Sequence, residues 1–301
     1  MTGGGGFIGR FVLNSLVRNG ASVRALMGAP GQRIQSAPTE VLTAIADITD
    51  AAVVSKLLAG CDVVVHLAGP PSVSASFTQS AEYFRIHVCG TDLILRACHA
   101  AGVKRFVYMS SAEVYGPAEM PSITEDHPTN PVSPYGKVKS LAEKLIQTYA
   151  GKSEMQTMIL RAFSIYGPGM SQESVLGTIL RQAESNDCIE LQDLRPIRDY
   201  CYVGDLADAV VLSCAARLNG SYILNIGTGV GTSVSELAKL VLQICRRNLP
   251  IRETTVKERP VACEIYRLIA NNSLAKRVLD WTPAAPLRLG IEQTLLHWAM
   301  P

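Results

Sequence analysis

The chain opens on Thr2-Gly3-Gly4-Gly5-Gly6-Phe7-Ile8-Gly9, and this stretch constrains the fold more than any other. Read as Gly3-x-x-Gly6-x-x-Gly9, it has the spacing of a dinucleotide-binding loop. Gly3 would make the tight turn, Gly6 would let the backbone approach a pyrophosphate, and Gly9 would let a helix pack closely on a sheet. A helix N-terminus offers a phosphate unpaired N–H groups and partial positive charge. Phe7, Ile8, Phe11, Val12, Leu16 and Val17 recur at helical spacing, and Asn19-Gly20 stops the helix. A flexible N-terminal tail is the competing reading of the glycines. Such a loop follows the central strand of its sheet, and only Met1 precedes Thr2. The expectation is that this first strand is missing and that the sequence starts several residues late. The alternative is a protein with a damaged cofactor site.

Downstream, strand and helix alternate. Strands are expected over 22–27, 41–46, 63–67, 106–111 and 157–161, and helices over 51–58, 82–101 and 134–150. This rhythm predicts an α/β fold with a doubly wound parallel sheet of the Rossmann type. Ligands of such sheets bind beyond the carboxyl ends of the strands. From Ser164 the rhythm changes: helices are expected over 175–184, 203–217 and 237–245, the last behind a Ser233-x-x-Glu236 capping box. The predicted division is a dinucleotide-binding part over 1–163, joined again by 203–228. A smaller C-terminal α/β substrate lobe is built from 164–202 and 229–301.

Composition narrows the class. With 301 residues, 48% of them hydrophobic, the chain can bury a large core, and a net charge of +2 predicts neither a nucleic-acid nor a membrane partner. No apolar run reaches the length of a membrane span, and no secretory signal opens the chain. The eight cysteines are scattered without a C-x-x-C pair, so they are expected to be reduced core residues of a cytoplasmic protein with no metal site.

The chemistry is expected at Tyr135-Gly-Lys-Val-Lys139. Tyr135 and Lys139, four apart on a helix, share a face. A lysine ammonium and a cationic nicotinamide would favour the phenolate, making Tyr135 a general acid/base. Ser111, at the end of the strand that closes on Ser110-Ser111, would hydrogen-bond the substrate oxygen that Tyr135 deprotonates. An acid that selects NAD through the ribose 2′-hydroxyl is expected about twenty residues after the glycines. Met27, Gly28 and Ala29 stand there instead. Arg33 (or Arg24) could then reach the 2′-phosphate of NADP, or be an ordinary loop arginine. His66, inside the apolar run 63–67, reads as structural.

Taken together, the sequence resembles the extended short-chain dehydrogenase/reductases, specifically the NAD(P)-dependent nucleotide-sugar epimerase/dehydratase family. The resemblance runs nearly end to end. It is carried by Thr2–Gly9, Ala46-Asp47-Ile48-Thr49-Asp50, Val64-Val65-His66-Leu67-Ala68-Gly69, Gly90-Thr91, Ser110-Ser111-Ala112-Glu113-Val114-Tyr115-Gly116, and Pro134–Lys139. It continues through Leu160-Arg161, Ile165–Gly169, Arg198-Asp199-Tyr200, Asp205-Leu206-Ala207, Asn225–Gly229 and Lys276–Trp281.

The resemblance implies roles. Gly3, Gly6, Phe7, Ile8 and Gly9 would hold the pyrophosphate of NAD or NADP, and Asp47 and Ile48 would flank the adenine. Leu67, Ala68 and Gly69 would line the nicotinamide side with Ser110, and Ala162 and Phe163 would border the ring. Lys139 would also hold the nicotinamide ribose. Ser111, Ser164, Arg198 and Arg259 would meet a nucleotide-diphosphate sugar, the two arginines at its diphosphate, where an arginine fork suits phosphate. Either arginine could equally be a plain surface residue. The helices over 82–101 and 134–150 resemble the pair that forms a four-helix dimer interface; their apolar faces could equally be covered within the monomer.

The reaction implied is oxidation at a sugar carbon to a 4-keto intermediate. Epimerisation then returns hydride to the other face. A 4,6-dehydratase would need an Asp-Glu pair where this chain has Ala112-Glu113. The expected activity is therefore epimerisation with Tyr135, Lys139, Ser111 and Glu113 at the centre. A ketoreductase using NADPH is the alternative. A decarboxylase/dehydratase or a non-catalytic dinucleotide sensor ranks behind both. Glu113 could also be a loop carboxylate capping backbone N–H groups. His87 stands where the family usually has asparagine.

Overall fold

The computed structural model describes residues 1–32, 36–118, 120–151, 154–254 and 263–298. Arg33 and Arg259 lie outside the described residues.

The N-terminal part builds α1 (Phe7–Arg18), β1 (Arg24–Leu26), β2 (Leu42–Ala44), α2 (Ala51–Leu58) and β3 (Val63–His66). Then come α3 (Val73–Thr78), α4 (Ser80–Phe84), a π-helical segment (Arg85–Gly90) and α5 (Thr91–Ala100). These are followed by β4 (Arg105–Ser111), α6 (Pro134–Ala150) and β5 (Gln156–Ala162). All pairings among β1, β2, β3, β4, β5 and β9 (Ser221–Ile226) are parallel. β1 pairs with β2, and β3 leads through β4 and β5 to β9.

Met1 and Thr2 join these two groups of strands. Thr2 bridges Leu26 on one side and His66 on the other, both in parallel sense. The Thr2 N–H donates to the Val65 carbonyl at 2.9 Å and the Leu26 N–H to the Met1 carbonyl at 2.8 Å. The place of the expected central strand is thus taken by two residues, and the sheet continues across them.

Helices cover both faces, as alternating parallel strands require. On one face Val12 and Leu13 of α1 pack with Val65, Val107 and Leu160, and with Leu206 and Val210 of α8 (Val203–Ala215). On the other, Ile94 and Leu95 of α5 and Ala142 and Ile146 of α6 pack on Val64, Phe106 and Ile159. The helix expected over 82–101 is three pieces. Its middle turn is π-helical, where the Thr91 hydroxyl donates to the His87 carbonyl at 2.6 Å.

The second part contains β6 (Ser164–Tyr166), α7 (Val175–Ser185), β7 (Ile189–Leu191) and β8 (Ile197–Tyr202), then β10 (Gly231–Ser233), α9 (Val234–Ile244) and β11 (Ile251–Glu253). It ends with β12 (Arg267–Leu268), α10 (Ser273–Leu279) and α11 (Leu287–Leu296). β8 pairs with β6, β10 and β12, and β7 with β11. The Ser233–Glu236 capping box forms as expected. α7 and α9 share a core of Leu176, Ile179, Leu237 and Val241. α10, which the sequence division assigns to the smaller lobe, instead buries Ala275 and Leu279 beneath the main sheet beside α8. Among the described residues no helix is long and apolar enough to cross a membrane.

Candidate active site

The carboxyl edge of the sheet gathers the glycine loop, Asp47, the 67–69 turn, Ser111 and Ala162. The glycine loop is anchored where Gly4 and Gly5 donate to the carbonyls of Leu26 and Met27. Gly6 caps α1, so the first-turn N–H groups of Phe7, Ile8 and Gly9 lack intrahelical acceptors and carry the positive end of the helix dipole. A Cβ at Gly9 would overlap the Gly3 carbonyl oxygen, and one at Gly3 would lie 2.8 Å from the Ala68 nitrogen. The loop is therefore a cradle that admits no side chains at these two positions.

A one-way chain of hydrogen bonds fixes this cradle from beneath. Thr91 donates to the His87 carbonyl, so its oxygen accepts from His66 Nε2–H at 2.9 Å. His66 Nδ1 is then bare and accepts from the Thr2 hydroxyl at 2.7 Å. The Thr2 oxygen accepts in turn from the Ala68 N–H. Burial holds the His66 pKa down to about 3, with Lys139 adding a repulsive charge. The imidazole is a neutral structural link, as the apolar run around it suggests.

Asp47 accepts a two-pronged contact from Arg85, each bond 3.0 Å, and holds Thr49 through its N–H and hydroxyl. The Arg85 hydrogen bonds push its carboxyl well below the usual range. Ile48 is buried and packs beneath Gly90. Among the described residues no carboxylate follows β1 at Met27–Ala29. Arg24 sits at the opposite end of β1, with its guanidinium on the carbonyls of Leu57 and Ala59. It is therefore at the amino edge of the sheet, and the expectation that it could reach a cofactor phosphate is corrected.

α6 carries the reactive row. Ser133 caps the helix by accepting from Gly136 at 3.0 Å, and Pro134 opens it. Tyr135, Lys139 and Glu143, spaced by four, are all buried against the sheet. Lys139 Nζ donates to the Met109 carbonyl at 2.8 Å and stands 4.9 Å above the Tyr108 ring and 5.8 Å from the Tyr135 ring centre. Burial lowers the Lys139 pKa to about 7, against the pull of Glu143. Tyr135 is packed edge-on by Tyr83 at 6.3 Å and by His87 at 5.7 Å. Its phenol is pushed up by burial; a hydrogen bond with the Ser111 hydroxyl pulls it down, and the charge of Glu113 raises it further. In the protein alone, burial outweighs the Ser111 hydrogen bond, so the phenol is held in its acid form.

Glu113 accepts from the Ser133 hydroxyl at 3.2 Å, tying the turn after β4 to the start of α6. Its carbonyl comes so near Gly136 that a Cβ there would lie 2.7 Å away. Ala112 is 4% exposed and packs with Val114, Tyr115 and Phe163. Ser110 is turned away from the cleft: its hydroxyl donates to Glu143. Any contact of Ser110 with the cofactor is therefore left to its backbone. Glu143 beneath Lys139 escaped the sequence reading, although it continues the four-residue spacing of Tyr135 and Lys139; Arg161, read there as a motif residue, is its partner.

In the second part, Ser164 opens β6 opposite Tyr200. Arg198 is mostly buried and pairs with Glu264 at 3.4 Å, so its guanidinium already has a carboxylate. Other motif residues brace the fold. Asp199 accepts from Thr228, Gly229 and Ala270; Asp205 accepts from Ala284 and Ala285; Asn225 links Tyr115 to Ile123.

A dinucleotide cradle on a parallel sheet, with a tyrosine and a lysine one turn apart beside a strand-end serine, defines a Rossmann-type enzyme of the short-chain dehydrogenase/reductase class. Within it, the chain belongs to the NAD dependent epimerase/dehydratase family, whose model matches residues 1–227. A UDP-glucose 4-epimerase from Azospirillum brasilense is 29% identical over 99% of this chain and 90% of its own length. A dTDP-D-glucose 4,6-dehydratase from Mus musculus is 30% identical over 78% of this chain and 66% of its own. MoeE5, solved in complex with UDP-glucose and NAD, superposes with a TM-score of 0.89 at 30% identity, over 99% of this chain and 96% of that one. The protein is thus an enzyme of the nucleotide-sugar epimerase and dehydratase type with a nicotinamide dinucleotide as cofactor.

Proposed function

We propose that the protein is an NAD-dependent 4-epimerase of a uridine-diphosphate sugar, acting through a 4-keto intermediate. The observation that carries this reading is Ala112. A dehydratase would need an acid there to protonate a leaving hydroxyl. The position instead holds a methyl group sealed in an apolar cluster, and Glu113 is engaged by Ser133. The names of the relatives support the same choice of substrate class.

Gly3, Gly6, Gly9 and the first turn of α1 would hold the cofactor pyrophosphate, Asp47 and Ile48 its adenine end, and Leu67–Gly69, Ala162 and Phe163 its nicotinamide end. The nicotinamide supplies a hydride acceptor and a positive charge. The chain supplies the proton chemistry. Tyr135 takes the proton of the sugar hydroxyl, Ser111 holds that oxygen, and Lys139 stabilises the phenolate from one turn below. A charge brought beside a buried phenol favours its ionised form, which offsets the burial that holds Tyr135 as an acid. Ser164, Arg198 and Arg259 are assigned to the sugar nucleotide.

One observation favours a second reading, an NADPH-dependent ketoreductase: Met27–Ala29 offer no carboxylate to a ribose 2′-hydroxyl. Mass spectrometry of the small molecules released on denaturation decides between them. NAD recovered without any addition fits an epimerase, which regenerates its cofactor in each cycle. An empty protein that prefers NADPH fits the reductase and overturns the epimerase.

We also infer a homodimer formed through α4, the π segment and α6. Phe84 and Leu141 are 46% and 42% exposed and border a shallow apolar groove with Val88 and Leu145. The eight unpaired cysteines support a cytoplasmic location. We assign 1–163 with 203–228 to cofactor binding and the remainder chiefly to the sugar nucleotide.

A further inference from the structure

Asp47 and Ile48 lie in the loop between β2 and α2, and both are held from the π segment. Arg85, at its first position, grips the Asp47 carboxylate. Gly90, at its last, leaves room for Ile48: a Cβ there would lie 3.0 Å from Ile48 Cγ2. The i→i+5 bonding of a π turn brings residues five apart toward one side. In an α-helix the same two residues would point roughly 140° apart. The irregular turn therefore lets one segment support both neighbours at once.

The guanidinium of Arg85 is fully committed. Nη1 donates to Asp47 Oδ1 at 3.0 Å and to the Thr49 hydroxyl oxygen at 3.1 Å. Nη2 donates to Asp47 Oδ2 at 3.0 Å and to Glu82 Oε1 at 2.7 Å, and Nε donates to Glu82 Oε2 at 2.7 Å. These bonds use all five N–H donors of an arginine, so Arg85 has none left for a phosphate. Asp47 is filled on one side only. Oδ1 accepts from Arg85 and from the N–H and hydroxyl of Thr49. Oδ2 accepts from Arg85 alone among the described residues. A carboxylate has about four lone-pair sites, and the open one is on Oδ2. The Arg85 bonds also keep the carboxyl ionised, well below its usual range, so Asp47 can accept but not donate.

We propose that Arg85 is a positioning and specificity residue for the adenine of the cofactor: its fork locks the Asp47 carboxylate in one plane, leaving the open lone pair of Oδ2 as a fixed acceptor that selects a purine with an exocyclic amine over one with a carbonyl. The amine donates an N–H to Oδ2. A carbonyl in its place sets one acceptor against another and leaves both unpaired, which costs binding. Arg85 acts through Asp47 and makes no contact of its own with the base.

The inference rests on the assignment of Asp47 to the adenine end, and its test needs neither sugar nucleotide nor turnover. Dissociation constants of NAD and of nicotinamide hypoxanthine dinucleotide are measured by calorimetry on nucleotide-free protein, and their ratio is the readout. The parent should favour NAD by about tenfold or more, the worth of a hydrogen bond to a charged group. Arg85→Met should bring the ratio to about twofold or less. Arg85→Lys should do the same, because a lysine keeps the charge and cannot make the fork. A merely structural role would weaken both dinucleotides together and leave the ratio unchanged. Asp47→Leu separates the two layers of the argument. If the parent does not discriminate, or Asp47→Leu discriminates as well as the parent, the assignment of Asp47 fails and the proposal with it. If Asp47→Leu loses the discrimination while Arg85→Met or Arg85→Lys keeps it, the assignment stands and the role of Arg85 is overturned. If Arg85→Met does not fold, Arg85→Lys decides.

Discussion

Arg161 closes a two-pronged ion pair on Glu143, Nη2 to Oε2 at 2.7 Å and Nε to Oε1 at 3.1 Å, with both side chains at most 5% exposed. The pair joins α6 to β5 one turn below Lys139. Ser110 completes the shell of Glu143, and Arg161 also lies 4.7 Å from the Tyr115 ring centre. Truncating one partner of a buried pair strands the other charge, which costs about 3–5 kcal/mol. Glu143→Gln should therefore lower unfolding free energy by roughly 3 kcal/mol in urea titration. A loss within error of zero would mean that the pair is not buried as described.

Tyr135→Phe removes one oxygen and keeps the ring contacts with Tyr83 and His87. Its thermal midpoint should stay close to that of the parent. Turnover should fall by about 100-fold or more, the usual worth of a positioned acid/base. Parallel loss of fold and activity would point to a packing role instead.

Two buried groups set pH slopes of the same sign in different pH windows. The folded-state pKa of His66, about 3, lies below its ordinary 6.5. Below pH 6.5 the unfolded chain takes up the proton first, so stability falls with pH until about 3. Each unit is worth about 1.4 kcal/mol. Between pH 7 and 5 the parent should lose about 2 kcal/mol more than His66→Gln, read from urea midpoints.

Lys139 acts in the same sense at higher pH. Its folded value of about 7 lies below 10.5. Between these values the unfolded chain holds the extra proton, and stability rises with pH. Lys139→Met should flatten that rise in denaturation curves taken from pH 7 to 10.

The apolar groove on α4 and α6 should be covered by a second copy. Leu141→Arg adds a charge to the groove beside Lys144, and sedimentation should show it as a monomer while the parent is a dimer. A monomeric parent would contradict the inferred interface.

Much of this was legible in the sequence because it rests on local signals. The helices expected over 51–58 and 134–150 form as Ala51–Leu58 and Pro134–Ala150. The glycine spacing gives the cradle, and the Tyr135–Lys139 spacing gives the shared face. The π segment was not legible, because one inserted residue leaves the apolar pattern of a helix nearly intact. It is defined by backbone pairing over Arg85–Gly90, visible only in three dimensions. Short strands such as β6, β8 and β12 also escaped, since pairing rather than composition defines them. Arg198 and Ser110 read as ligand-facing residues from their motifs. Their partners, Glu264 and Glu143, lie far away in sequence and were visible only in the fold.

The central claim is that Tyr135, Lys139 and Ser111 epimerise a uridine-diphosphate sugar with a cofactor regenerated in each cycle. The most direct measurement incubates the purified protein with UDP-glucose alone and follows the sugar by NMR. The account predicts UDP-galactose, formed without added cofactor and abolished in Tyr135→Phe. A dehydrated 4-keto sugar as the product, or epimerisation that survives in Tyr135→Phe, would contradict it.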